Sequence, residues 1–454
     1  MKVKGYILGA IDKELVTAEA ILAIEKGASE REALRIMSQK YNFITDWRIR
    51  GPIHSLVFEC IRRLNLIDFL IKESLEKGTL KQLYPLLRNL LRVGVYILKF
   101  TDTPPPKITK FIVKVSKERF GKSVGKFTNA VLRKIEQLKI SDYITDSKDI
   151  ANLSLQYYHP PWFIEYLINL IGLPETIEFL KKSIEENRLF IRINTLKTDL
   201  SSVIEKLEQE EYTFLVDQDL PDLIRITQWK LPVIHSSLLK EGLIYIQDKA
   251  STLVSHVLNP QEGDIIFDLC AAPGGKSMHI GQLLGNSGMI FAVDRSHRRL
   301  LELTTKLSQY NLHNIYVINI NGETSPSFIR KKADKILIDP PCSGTGTFVS
   351  RPYSKWKLRL KDLQAFTAIQ WKLLIAATKS LKSSGEIIYS TCSLTLEENE
   401  KMIKKFLHVF PDFSLVPATP FLGTPGFLGL TETQRLWPHL NETEGFFIAK
   451  LKRK

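Results

Sequence analysis

What the chain lacks narrows its class first. Its 454 residues hold only four cysteines, Cys60, Cys270, Cys342 and Cys392. A set so sparse and dispersed does not staple a chain of this length, which excludes a disulfide framework. No two of them form a CxxC pair, so neither a structural zinc site nor any other bound metal is expected. The opening stretch MKVKGYILGAIDKELV has no apolar signal-peptide core, and no run of about 18 uncharged apolar residues offers a membrane span. The expectation is a reduced, cytoplasmic protein with no membrane partner, taken as a monomer. The dinucleotide fingerprint GxGxxG is also missing, which counts against a nicotinamide enzyme. Gly275-Lys276-Ser277 ends like a phosphate-binding Walker loop, but that loop needs a second glycine where Cys270 stands, and the NTPase reading fails.

What is present is ordinary in bulk and uneven in detail. Hydrophobic residues at 44% and charged residues at 25% fit a soluble globular protein. The length, at about 100 to 200 residues per domain, allows two to four domains, and three are expected. The net charge is +14, yet residues 1–150 carry 28 Lys and Arg against 17 Asp and Glu, a net +11 that leaves +3 for the rest. A basic module joined to a nearly neutral body points to a phosphate backbone as partner, with a solvated surface as the alternative.

From residue 11 to about 137 apolar residues recur at helical spacing, as in IHSLVFECIRRLNLIDFLIKESL, with breaks expected at Gly51-Pro52, Gly78 and Pro104-Pro105-Pro106. An all-α domain over 1–140 follows. Lys107, Lys110, Lys114 and Lys117 share one helix face, and the stripe continues through Arg119, Lys122 and Lys126. It is the candidate RNA-contacting surface, unless it is only a solvated helix face. Polar residues 140–155 read as a linker. Over 150–235 a helix near Pro160, a strand at 190–194, a helix at 199–209 and strand-like YTFLV and LIRIT make a small α+β domain. Over 240–454 the strands DIIFDL, MIFAVD, IYVINI, KILID and EIIYSTC alternate with helices, the pattern of an α/β, Rossmann-like parallel sheet with ligands at the carboxyl ends of its strands.

Four of those ends carry chemistry. The first runs into Cys270, Ala271, Ala272, Pro273, Gly274, Gly275 and Lys276, where small residues and two glycines let a ligand approach the backbone beside a helix start. Asp294 closes the second strand, placed to accept hydrogen bonds from ribose hydroxyls of an adenosine cofactor or, alternatively, to cap the next helix. The fourth leads into Asp339-Pro340-Pro341-Cys342 and the fifth into Thr391-Cys392, so two thiols and a carboxylate converge on the cofactor edge. Carbon 5 of cytosine is too weak a nucleophile to take a methyl group unaided. A thiolate added at carbon 6 turns it into an enamine, and the reaction then needs an acid near N3 and a base for elimination. An ordinary thiol is only a few per cent ionised near neutral pH, so an electropositive pocket or helix start is expected beside the nucleophile, and Glu397–Phe406 reads as that helix.

DLCAAPGGKS, DPPCSGTG and YSTCSLTLEENE, in that order, resemble the signature motifs of the Sun/RsmB family of RNA cytosine-C5 methyltransferases. KFTNAVLRKI and LRVGVYIL resemble its NusB-like helical domain, and IRINTLKT, GLIYIQDKAS and RLWPHLNETEGFFIAKL its later segments. The resemblance implies S-adenosyl-L-methionine as cosubstrate and 16S ribosomal RNA as partner. It further implies Cys392 as nucleophile and Cys342 as the aid to product release. Cofactor contacts would fall on Cys270 to Lys276, Asp294 and Asp339, the last also facing the target base. Where the family usually has an aspartate after the third strand, this chain has Asn321, whose carbonyl can still accept from an adenine amine, so weaker cofactor binding is expected. The competing readings are a DNA cytosine-C5 enzyme using the Pro-Cys cysteine, an adenine-N6 enzyme, and a methyltransferase fold retained as the scaffold of an RNA assembly factor.

Overall fold

The computed structural model describes residues 12–43, 46–185, 188–324 and 332–454. Residue 11, where helical spacing begins, and the segment before it lie outside them. The chain divides into two compact units, Met1–Ile184 with Phe348–Lys357, and Glu185–Thr347 with Leu358–Lys454.

The first unit is helical. Helices Lys13–Glu25, Glu30–Lys40, Trp47–Arg62, Leu64–Ser74, Pro85–Phe100, Pro105–Phe120 and Lys122–Gln137 enclose one apolar core in which Ile21, Val57, Ile67, Leu91, Ile112 and Leu132 are sealed from water. Inside it, Arg92 forks onto Asp68 at 2.6 Å through both Nε and Nη2 and reaches Glu25 at 2.6 Å, so helices distant in sequence share one charge network. Two expectations fail here. Gly51-Pro52 does not break the chain, because Pro52 lies in the second turn of its helix, where the missing N–H removes only one early bond. The segment read as a linker carries the helix Ile150–Tyr157, started by Asp149, whose carboxylate accepts from Asn152 N at 2.9 Å.

The basic stripe is exposed along its length: Lys107, Lys110, Lys114, Lys117, Arg119, Lys122 and Lys126 all face water, while Ile108, Ile112 and Val115 turn into the core. The segment Phe348–Lys357 packs within this unit, where Trp356 donates its indole N–H to Ile61 O at 2.7 Å and Phe348 lies edge-on to Phe163 at 4.9 Å.

The second unit holds two sheets. Strands β1 (Leu189–Ile193), β2 (Thr213–Val216), β3 (Leu223–Gln228) and β4 (Ile244–Ile246) form an antiparallel sheet ordered β2-β3-β1-β4. Strand β4, three residues long and without a pattern of its own, joins this sheet although it lies past residue 235. The large sheet contains β5 (Ile265–Asp268), β6 (Met289–Val293), β7 (Ile315–Ile318), β8 (Ala333–Ile338), β9 (Leu381–Thr391), β10 (Phe413–Val416), β11 (Thr424–Pro425), β12 (Gln434–Leu436) and β13 (Phe446–Arg453). Its run β9-β8-β5-β6-β7 is parallel as expected. The sheet as a whole is mixed, because β13 pairs antiparallel with β9 and carries β10 and β12 with it.

A charge pair is sealed in this second unit. Arg435 of β12 forks onto Glu400 at 2.6 and 2.5 Å, both side chains are fully buried, and the guanidinium lies 4.8 Å over the Phe427 ring. Removing one partner strands the other charge in a dry interior. Arg435→Met is expected to destabilise the unit by about 3–5 kcal/mol in chemical unfolding, and Glu400→Leu/Arg435→Met to recover part of that loss.

Candidate active site

Parallel pairing in the order β9-β8-β5-β6 opens four carboxyl ends on one edge of the sheet. After β5, Asp268 is buried and accepts from Ser277 Oγ at 2.6 Å and from Cys270 N at 3.3 Å, folding the loop back over its own strand end. Ala271 N donates to Val293 O at 2.9 Å, which ties the loop to β6. Gly274 takes φ 104°, a left-handed conformation, and a Cβ there would stand 2.4 Å from Leu303 Cδ1. The helix Gly275–Leu283 therefore starts without a side-chain cap, leaving first-turn N–H groups for another acceptor.

Asp294 is buried beside this loop. Its carboxylate accepts from Ala272 N at 3.1 Å and Ser296 N at 2.8 Å, and the following helix, His297–Gln309, is capped by Ser296 instead. Asn321 is exposed in the turn after β7, where its side-chain carbonyl accepts from Glu323 N at 3.3 Å.

The two remaining ends bring the thiols together. Cys342 and Cys392, free and partly buried, stand with sulfurs 3.0 Å apart. Beside them Lys276 donates to Asp339 Oδ2 at 2.7 Å, and Ser390 donates to Asp339 Oδ1 at 3.1 Å. Burial pulls the Lys276 pKa down, but the charge and hydrogen bond of Asp339, with Cys392 next, hold it above its ordinary value, so it stays a cation. The Cys342 thiol is pushed well up, first by its hydrogen bond with Cys392, then by burial and by the charges of Cys392, Glu398 and Asp339. Burial, with the nearby carboxylates, pushes the Cys270 thiol up as well.

The helix expected at Glu397–Phe406 begins later, at Glu400–Val409. Asn399 has φ −113° and ψ −103°, outside the helical region, because its side chain is drawn back to Thr391 Oγ1 at 2.6 Å and Ser393 O at 2.8 Å.

This geometry can be set beside known proteins. The family model described as 16S rRNA methyltransferase RsmB/F matches residues 255–452, the NusB family model matches 9–137, and that of an RsmF/B-like ferredoxin-like domain matches 159–233. A probable ribosomal RNA small subunit methyltransferase B of Synechocystis sp. is 30% identical over 405 residues, 88% of this chain and 90% of that protein. The chain belongs to the RsmB/F family of 16S rRNA methyltransferases. A tRNA (cytosine(72)-C(5))-methyltransferase of Pyrococcus horikoshii is 38% identical over 232 residues, 51% of this chain and 58% of that one. The solved structure of PH0851 superposes with a TM-score of 0.84 at 31% identity, covering 98% of this chain and 100% of that one.

As an RsmB/F methyltransferase the chain uses S-adenosylmethionine, and the residues present fit it. The uncapped helix start after Gly274 suits a carboxylate tail, and Asp294, fixed by two backbone N–H groups, keeps lone pairs for hydroxyl donors. None of the described helices is long and apolar enough to cross a membrane.

A charged layer under the cofactor loop went unread in the sequence. Arg192 of β1 is fully buried and donates to Gln247 Oε1 at 2.7 Å and to Gly275 O at 3.1 Å. Next to it Asp222 accepts from His256 Nε2 at 2.8 Å and His279 Nε2 at 2.7 Å. Burial, then the Arg192 charge, pushes His279 down to about 3, so it donates as a neutral ring. Asp222, His256 and His279 are of types that ligate metals, but Asp222 engages one nitrogen of each ring and the Arg192 charge acts on Asp222 and His279, so the cluster serves as a brace. Alternation in FIRIN, which puts Arg192 on the same strand face as Phe190, was the available signal.

Asp268 generates a pH test. Burial, the largest cause, raises its pKa to about 7, against roughly 3.9 in an unfolded chain. The native state thus keeps a proton that the unfolded chain has lost, and the resulting stability falls as pH rises through the folded pKa. Asp268→Asn cannot ionise, so its melting temperature relative to the parent is expected to rise between about pH 4 and pH 8. A difference constant across that range contradicts the raised pKa.

Proposed function

We propose that the chain methylates carbon 5 of a cytidine in 16S ribosomal RNA through a covalent adduct between Cys392 and carbon 6, acting in the cytoplasm. The observation that carries this reading is the pair of thiols 3.0 Å apart beside the Lys276–Asp339 ion pair. The similarity to a protein named as a cytosine-C5 methyltransferase supports the choice of ring atom.

S-adenosylmethionine, when bound, supplies the electrophilic methyl group. Cys392, as the thiolate beside the Lys276 cation, adds to carbon 6, and the electron pair moves to carbon 5. A proton taken up at N3 from solvent leaves a neutral enamine, and Asp339, itself held by Lys276 and Ser390, faces the N3 and N4 edge and stabilises the positive charge that appears there when carbon 5 takes the methyl group. After carbon 5 has taken the methyl group its proton passes to solvent water, the electron pair returns to the ring, the carbon–sulfur bond breaks, and N3 gives up its proton. Cys342, kept largely as a thiol, assists this release by returning a proton to the departing Cys392 sulfur. Cys270 to Lys276 and Asp294 hold the cofactor, and Asn321 stands near its adenine. The helical region 1–140 binds RNA through its lysine stripe, 150–235 forms the small domain, and 240–454 carries out catalysis.

Incubation with labelled S-adenosylmethionine and a 16S transcript, followed by denaturing gels, tests the roles of the thiols. Cys342→Ala is expected to accumulate a protein–RNA adduct, and Cys392→Ala to form none and to lose methyl transfer. An adduct that depends on Cys342 instead would assign the nucleophile as in DNA enzymes.

The stripe is tested by Lys110→Gln/Lys114→Gln/Lys117→Gln. RNA affinity is expected to drop, and the slope of log K against log salt to flatten by about 2–3 if each lysine meets one phosphate. An unchanged slope would remove the stripe from the RNA interface.

A further inference from the structure

Glu398 has no role in the reading above, yet it is a fully buried carboxylate set between the two cysteine loops. Its Oε1 accepts from Ser343 N at 2.9 Å and Gln370 Nε2 at 2.9 Å, and its Oε2 accepts from the hydroxyls of Ser343, Ser393 and Thr395. Ser343 follows Cys342 directly and Ser393 follows Cys392, so one side chain grips the residue after each thiol. Gln370 donates through the same nitrogen to Pro341 O at 3.1 Å, which fixes the residue before Cys342. The backbone of Glu398 is held as well, since Tyr389 donates its hydroxyl to Glu398 O at 2.7 Å. Sealing an acid in a dry interior is costly unless it is fully hydrogen-bonded, and here two of the donor residues, Gln370 and Ser343, come from segments 28 and 55 residues away in sequence.

We propose that Glu398 is a positioning residue that clamps the Cys342 and Cys392 loops together, so that both sulfurs face the same point of the substrate base. The proposal rests on the assignment of those thiols to catalysis. The clamp also distinguishes them. The groups acting on Cys342 are Cys392, Glu398 and Asp339, and each raises its pKa, whereas Lys276 faces Asp339 and Cys392. The Glu398 carboxylate therefore favours Cys342 as the protonated partner of the pair.

The test uses the full chain and the variant Glu398→Gln, with three readouts. Calorimetric binding of S-adenosylmethionine reports the fold of the cofactor loop, which Glu398 does not touch, and is expected to stay within about twofold of the parent. Methyl transfer at saturating RNA is expected to slow by about 10- to 100-fold, the cost of displacing reacting groups by a fraction of an ångström to an ångström. Diamide oxidation, which converts two thiols to a disulfide as the reagent takes up both hydrogens, is expected to cross-link Cys342 to Cys392 several-fold more slowly. Alkylation of Cys342 by iodoacetamide, mapped by mass spectrometry, is expected to set in at lower pH.

Unchanged cross-linking and alkylation in folded Glu398→Gln would overturn the proposal. If cofactor binding is lost, Ser343→Ala, which removes the hydroxyl bond of the Cys342 loop to Glu398 and keeps the Ser343 N–H bond, is expected to slow the cross-linking as well, and its failure to do so is equally fatal. The thiol readouts need no RNA. A parent protein that never methylates cytosine would sink the proposed function and leave the clamp to be judged by them.

Discussion

Parallel pairing of β9, β8, β5 and β6 is the constraint from which the site follows. Strands that run the same way end on the same edge, so side chains 124 residues apart in sequence, Asp268 and Cys392, sit at one rim without any element being built for the purpose. The order matters as much as the direction. Between β5 and β8 the chain has crossed from one side of the sheet to the other, and at such a reversal the loops diverge and leave a crevice. The glycine-rich loop follows β5 and the Pro-Cys loop follows β8, so both open onto that crevice.

A crevice of loops has no regular hydrogen bonding to hold it, and in this protein buried charge does that work. Arg192 reaches the carbonyl of Gly275 from below, Asp222 fixes two histidines beside it, and Arg435 holds Glu400 and the carbonyl of Leu394. Each of these groups is paired or hydrogen-bonded by segments far apart in the chain, which converts a desolvation cost into a positional restraint. Close backbone approach adds to it: Gly346 O accepts from Gly445 N at 2.9 Å, and a Cβ on Gly346 would lie 2.0 Å from Gly445 O.

The contrast between what was legible and what was not follows from range. Alternation of short apolar strands with helices is local, and it located β5 to β9 and the loops that follow them. The cysteines stood out because their strand ends recur at the edge where a doubly wound sheet binds ligands. Elements whose identity depends on distant partners were not visible. Strand β4 is a strand because β1 pairs with it, and β13 because β9 does. Pro52 looked like a break because its local rule is strong, yet early in a helix it removes little. The turn at 396–399 looked helical because Glu397, Leu396 and Glu400 suit a helix, while the side-chain bonds of Asn399 to Thr391 and Ser393 prevail.

The same reasoning explains how two identical side chains come to differ. Cys342 and Cys392 share a contact and a crevice, so their chemistry is divided by what lies on their far sides. The Cys342 thiol keeps its proton first through its hydrogen bond with Cys392, then through burial and the negative charges around it, Glu398 and Asp339 among them. Cys392 shares its surroundings with the Lys276 cation, whose own elevated pKa reflects the negative charge of Asp339 and of that sulfur. On the proposed mechanism the two thiols are told apart by the charges placed around them and not by the thiols themselves. Lys276 is in turn placed by the helix that Gly274 allows to begin, so the residue that lets this loop turn also sets the cation against Asp339.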